Sequence, residues 1–404
     1  MIITLAWRNI WRNKMRSLVI IASVTAGLFA GIAILALYKG MMKSRIRTVI
    51  DTETGHLQVH AIGFTADQDP SLFISHQEDI TRSLSTNQNI EAYTTRTITA
   101  GMVSTPSGSA GVSIMGIDPA EESRVSGLSK KMREGKMQWA GQTKGILIGK
   151  KLAKKLKLAL GEKLVITMTD TADNLIAAAY RIQGIYQSAN APLDEVNVYV
   201  SKKDLQEMLG LQKQVHEIAI KLKKDEGLEE QLLQLQHAYP TASIESWKTL
   251  SPETSMMAGT VDTLSYIILI IILIALSFGI MNTMMMSILE RRHEIGMMMA
   301  LGMNRIKLLM LIMTETFLLT ITGIPIAMLI GRIAANHYEK KGMDLSGMGR
   351  DMMESFGFET MIYPSYPADK MGFIILLVFC TALVSSILPI IKSLRMDPVS
   401  ALQK

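Results

Sequence analysis

One cysteine in 404 residues, Cys380, leaves the chain no internal disulfide to form. Any part of it standing in an oxidising compartment must hold together by packing alone. Nucleotide-binding loops are missing as well. The nearest approach, Gly145-Ile-Leu-Ile-Gly149-Lys150-Lys151, has three residues between its glycines and a second lysine where magnesium would need a hydroxyl. There is no G-x-S-x-G nucleophile elbow. His56 and His60 share a strand face, but no third ligand stands near them in sequence, so they read as ordinary histidines and no metal is expected. The region 40–262 has no long basic run, which argues against nucleic acid as a partner. Repeats and low-complexity tracts are absent.

What is most plainly lacking is charge, and it is lacking in four places. Residues 17–39, 263–289, 308–331 and 371–392 are almost uncharged, in a chain that is 48% hydrophobic with a mean hydropathy of +0.23 and 30 methionines. A hydrocarbon core about 30 Å thick takes roughly 20 helical residues to cross. Each stretch reaches that length, and a buried helix of a soluble protein rarely stays apolar so far. The first is also too long for a signal-peptide core, and Tyr38-Lys39-Gly40 makes a poor cleavage site. We therefore expect a membrane protein with four transmembrane α-helices and a large mixed α/β domain inserted between the first and second.

Orientation follows from lysine and arginine in the short flanks. Arg8, Arg12, Lys14 and Arg16 precede the first span; Arg291, Arg292, Arg305 and Lys307 lie between the second and third; Lys392 closes the fourth, and Arg395 and Lys404 follow it. Four spans put all three segments on one side, so both termini are expected in the cytoplasm. The region 40–262 and the loop 332–370 then face outward, and the net charge of +6 is mainly a topology signal. Residues 1–16 read as an amphipathic cytoplasmic lead-in helix, with Trp7 and Trp11 suited to the membrane interface.

Within the region 40–262, strands are expected over His56–Ala61, Gly111–Ile117, Lys163–Thr169, Val196–Val200 and Glu217–Leu222. Helices are expected over Lys150–Leu158, Lys202–Leu209 and Gly227–His237. About 220 residues can bury a core of their own, as one unit or two subdomains. No helix breaker follows Pro252, so a stalk should run from this domain straight into the second span.

Three features inside or beside the spans invite a functional reading. Glu315 is a carboxylate within the third span, where it must face protein or water; a structural hydrogen bond to another helix outweighs a proton relay. Ser23, Gly27 and Gly31 form a small-residue stripe that permits close helix packing, within the chain or in a dimer. The segment 290–307, between the second and third spans, opens with charges, continues with an apolar face and should end its helix near Gly302.

That last segment carries a resemblance. Glu290, Arg291, Glu294, Ile295, Gly296, Ala300, Leu301 and Gly302 follow the pattern E-R-x-x-E-I-G-x-x-x-A-L-G, with Glu315 next in the third span. This resembles permeases of the MacB/FtsX/LolE type, the mechanotransmission class of ABC transporters. The opening LAWRNIWRNKMRSLVIIASVTAGLFAG, the closing LPIIKSLRMDPVSALQK and, in the outer region, GVSIMGIDP, ILIGKKLAKKLKLALGEKLVIT and IQGIYQS are similar to corresponding parts of that family. The resemblance implies a non-catalytic inner-membrane subunit that binds no cofactor itself. ATP and magnesium would sit on two copies of a separate cytoplasmic ATPase, docked on a coupling helix within 290–307. A second permease copy or a paralogue would complete the complex.

The size of the outer region and TGHLQVHA soon after the first span look most like the lipoprotein-releasing (Lol) permeases, which hand an acylated protein to a periplasmic carrier. On that reading Leu37, Met41, Met42, Tyr266 and Ile270 line a gap for a lipoprotein or similar amphiphile, with membrane lipid beside it. The alternatives within the family are an efflux permease for drugs or peptides and a signal transmitter that activates a periplasmic hydrolase.

Overall fold

The computed structural model describes residues 2–12, 14–139 and 144–394. Four of its helices are long and apolar enough to cross a membrane: 17–54, 252–290, 305–341 and 368–392, with mean hydropathies of 2.5, 2.8, 1.9 and 2.7. Three of them outrun a bilayer. The helix Pro252–Glu290 has 39 residues and would measure ~58 Å at 1.5 Å per residue. Proline at its first position, where no intrahelical donor is needed, starts it, and nothing in it stops it. The expected stalk is thus one unbroken helix with the second span. The first helix also runs further than hydropathy alone suggests, from Lys14 to Thr48, and continues as a π-helical turn over Val49–Thr54. Gly55, at φ +73°, ends it. A short helix, Ile2–Arg12, precedes it and packs on the third span.

The chain divides into two compact units, residues 1–42, 259–343 and 362–404 forming one, 43–258 and 344–361 the other. The first unit is the helical bundle. Its core includes Val24, Leu28 and Ile32 of the first span, Leu273, Leu276 and Ile280 of the second, Leu319 and Ile324 of the third, and Ile374 and Val378 of the fourth. Small residues set the closest approaches. A Cβ on Gly27 would meet Leu276 Cδ1 at 3.0 Å, and Gly31 faces Ile272 and Leu269, so this stripe packs the first span on the second within one chain. The Ser23 hydroxyl donates to the Val19 carbonyl of its own helix at 2.8 Å. On the other side of the first span, a Cβ built on Gly323 or Gly331 of the third helix would stand 3.0 Å from Val24 or Ile32 respectively. The tightest contact is Gly40, whose Cβ would stand 2.4 Å from the Tyr363 carbonyl oxygen.

The second unit is the inserted α/β domain. Its strands are β1 (Leu57–Ala61), β2 (Ile90–Thr105), β3 (Gly108–Ile117), β4 (Met132–Gly135), β5 (Gly145–Gly149), β6 (Lys163–Thr169), β7 (Leu175–Tyr186), β8 (Asn197–Ser201), β9 (Glu217–Leu222) and β10 (Ala242–Ser246). They form one sheet in the order β10-β1-β9-β2-β3-β8-β5-β7-β4, with β6 bridging β2 and β7. Most pairs are antiparallel; β3 with β8 and β5 with β7 are parallel. The 16-residue β2 belongs to two cores at once. One core gathers Leu57, Val59, Ile80, Leu84, Ile218, Ile220 and Leu235, the other Ile114, Ile146, Ile148, Leu152, Ile166, Val198 and Leu205. The residues that mimic a phosphate loop are β5 and the start of a helix. Gly149 is required there because a Cβ would stand 1.9 Å from the Asp194 carbonyl oxygen.

Candidate functional site

The segment after the second span forms the helix Arg292–Ala300, with Gly302 at φ +92° closing the turn behind it. Polar side chains pin this short helix to the bundle. The Arg291 Nη1 donates to both oxygens of Glu315, at 3.2 and 3.0 Å, and its Nε donates to Glu294 Oε2 at 3.1 Å. Asn9 Nδ2, from the N-terminal helix, donates to Glu315 Oε1 at 2.7 Å, and Arg12 pairs with Glu294. Two arginines and two carboxylates balance. Glu315, only 10% exposed at its side chain, thus has both carboxylate oxygens hydrogen-bonded by groups outside its own helix.

The surroundings tune both charges of the connection outside the spans. Burial works against the Arg291 guanidinium, but Glu315 and Glu294 outweigh it and hold its pKa above the ordinary value. Burial likewise raises Glu294, yet hydrogen bonds from Arg12 and Arg291 leave its carboxyl below the ordinary value. The N-terminal helix, distant in sequence, therefore meets the short helix and the third span at one ionic knot.

The eight residues of the motif divide by role. Ile295 and Gly296 are buried, Ile295 in the bundle core beside Leu308 and Ile312, and Arg291 is turned inward to Glu315. Within this chain these three hold the helix to the bundle. Glu290, His293, Met297 and Leu301 are exposed, Leu301 at 84%. The side chain of Ala300 and the closing segment 395–404 lie outside the described residues. Asn9 and Arg12 were not read as site residues from sequence. Their three-residue spacing on a helix face was the available signal.

The expected lining residues differ in exposure. Met42 is 7% exposed and has no free face to offer a ligand, and Leu37 and Met41 are half-buried. Tyr266 and Ile270 are exposed on the second helix, where the Tyr266 ring stands edge-on to Phe373 at 5.7 Å, with the Lys370 ammonium 5.5 Å away.

A second ionic knot lies in the inserted domain. Arg96 of β2, fully buried, donates to Glu122 through Nε at 3.0 Å and Nη2 at 2.6 Å, and to Glu217 of β9 through Nη1 at 2.6 Å. His60 Nε2 stands 3.2 Å from the other Glu217 oxygen. The guanidinium holds the Glu217 carboxyl below its ordinary pKa although burial alone would raise it. Among the described residues no group of three or more His, Cys, Asp or Glu could hold a metal ion.

Fold and site together define a class: a four-span membrane protein with an α/β domain inserted after its first span and a pinned helix between its second and third. The MacB-like periplasmic core domain family matches residues 17–236, and the FtsX-like permease C-terminal family matches residues 266–398. The chain belongs to this family of MacB/FtsX/LolE-type permeases.

Its curated relatives include a macrolide export ATP-binding/permease protein MacB of Syntrophobacter fumaroxidans, 28% identical over 33% of this chain and 20% of that one. The lipoprotein-releasing system transmembrane protein LolC of Buchnera aphidicola is 21% identical over 44% of this chain and 45% of its own. The match thus spans less than half the length of either relative. The periplasmic region of MacB from Actinobacillus actinomycetemcomitans covers 53% of this chain and 97% of itself at 15% identity, with a TM-score of 0.36.

Proposed function

We propose that the chain is the permease subunit of an ABC-type complex in the bacterial inner membrane, both termini cytoplasmic, driven by a separate ATPase that binds the ATP and magnesium. Two ATPase copies would seat on the exposed side of the helix Arg292–Ala300 in a pair of permeases, whether identical or paralogous. The observation that carries this reading is the ionic knot at Arg291. A short helix tied by Glu294, Glu315, Arg12 and Asn9 to two other helices can pass a push to them, where a loose loop would absorb it. Movement would then reach the inserted domain through the continuous first and second helices.

The substrate we favour is a lipoprotein or similar amphiphile released from the outer leaflet, passed to a periplasmic carrier. The name of the LolC relative supports this reading, while the names of the MacB relatives favour export of small molecules equally. Depleting the chain separates the two. Lipoproteins stranded in the inner membrane with unchanged macrolide tolerance support release; normal sorting with macrolide sensitivity overturns it in favour of export.

A further inference from the structure

The loop between the third and fourth spans leaves the bundle that both of its ends enter. Its residues 344–361 pack with the inserted domain as one compact unit. Surface loops are ordinarily mobile, and contacts must offset the entropy of ordering one. Here the Leu345 amide donates to the Thr360 carbonyl at 2.9 Å and closes the neck. Two anchors hold the middle. Gln187 Nε2, just after β7, donates to both oxygens of Glu354 at 3.2 Å, in the loop's helix Arg350–Ser355. Gly357 lies against Arg45 near the end of the first helix: a Cβ there would stand 2.7 Å from Arg45 Cζ, and its φ of +73° favours glycine as well. Arg45 has little room to yield. It is buried and donates to Glu53 at 2.7 Å, and Asn190 Nδ2 holds the same carboxylate at 2.8 Å. Charge adds to the seat, for burial lowers the Lys131 pKa and Glu359 of the loop is first among the carboxylates that oppose the shift. Within the bundle, the next residues of the same connection hold the first helix too. The Ser365 amide donates to the Ala36 carbonyl at 2.9 Å, and Lys39 pairs with Asp369.

We propose that this loop is a strap that carries movement of the third helix into the inserted domain, through Glu354 and Gly357, in parallel with the first and second helices. The proposal rests on the permease reading above. The third helix, Arg305–Lys341, carries Glu315, which Arg291 ties to the short helix, so a push on the short helix reaches the strap along one continuous helix. A strap seated in the domain transmits that displacement. Unseated, it lets the third helix move while the domain stays behind.

The test uses the full-length protein copurified with its ATPase in nanodiscs, with amide exchange read by mass spectrometry with and without a non-hydrolysable ATP analogue. Gln187→Glu sets a second carboxylate against Glu354, and Gln187→Glu with Glu354→Gln restores the hydrogen bond in reverse. Gly357→Ala breaks the other anchor. Gly347→Ala is the control within the strap, since nothing lies within 4 Å of a Cβ there. Without nucleotide, loss of a hydrogen bond to a charged group should speed exchange over residues 350–357 by about tenfold in Gln187→Glu and in Gly357→Ala. The paired variant and the control should match the wild type. With nucleotide, the wild type should change its exchange both in the short helix and over residues 187–196. Gln187→Glu and Gly357→Ala should keep the first response and lose most of the second, at an unchanged unfolding midpoint, and the paired variant should regain it. A response over residues 187–196 that is absent in the wild type, or as large in the broken variants, overturns the strap alone. No nucleotide response at the short helix of the wild type overturns the permease reading, and the strap with it.

Discussion

Arg96 and Arg291 solve the same electrostatic problem in different surroundings. Each guanidinium sits between two glutamates, Glu122 and Glu217 around the first, Glu294 and Glu315 around the second. Arg96 is 3% exposed, with partners at 1% and 6%; Arg291 is 11% exposed, and Glu294 stands 42% exposed. In the dry site each charge depends wholly on its partners, so the knot is a matter of stability. In the second site only Glu294 is half-wet, and water can replace part of its pair, so that side of the knot costs less to break.

The sharpest way to break this contrast is Arg96→Ala. It leaves two carboxylates buried without a cation, and the inserted domain should lose about 3–5 kcal/mol, read as a lower unfolding midpoint of the full chain. Arg291→Ala should be milder, about 2–4 kcal/mol at the bundle, since Asn9 still donates to Glu315. Its larger effect should be on coupling, with partner ATPase activity no longer matched to function while the protein remains inserted. An equal stability loss in both variants would erase the distinction.

A carboxyl with no arginine against it offers a third point. Asp194 is pushed up to about 6, by burial first, despite hydrogen bonds from Ser188. An acid whose folded pKa is raised favours the folded state most below its ordinary value. That stability should drain away, by up to about 3 kcal/mol, as pH rises through about 6. Asp194→Asn should flatten the unfolding midpoint over this window. Glu217, shifted the opposite way, contributes stability above the ordinary carboxylate range that is lost as pH falls through its lowered pKa. The smallest effect belongs to Arg12→Ala. With the pair 55% and 42% exposed, the change should stay below about 1 kcal/mol in a melting experiment.

Hydropathy made the spans legible because a bilayer imposes length and apolarity together. The strands Lys163–Thr169 and Glu217–Leu222 were legible to the residue, bracketed by turns and rich in β-branched side chains. The two longest strands were not. β2 reads Ile-Glu-Ala-Tyr-Thr-Thr-Arg-Thr-Ile-Thr-Ala-Gly, with a charged Arg96 and Gly101 where alternation would need apolar residues. Its buried arginine satisfies itself on Glu122 and Glu217, a tertiary fact with no local trace. β7 contains Ala177-Ala178-Ala179, a run that favours helix until pairing with β6 overrides it. Glu315 announced itself by its cost in an apolar helix; the spacing of Asn9 and Arg12 marked a helix face, but that Asn9 pairs with Glu315, 306 residues away, is a tertiary fact.

The solitary cysteine carries a practical consequence. Cys380 is exposed on the fourth span, and it is the only thiol in the chain. Lying mid-span, this thiol is shielded by hydrocarbon from water-soluble maleimides, which need the ionised thiolate. Leu301→Cys, at a position 84% exposed and outside the spans, therefore gives a single aqueous labelling address by one change. Its readings with and without nucleotide would register whether the tip of the short helix moves.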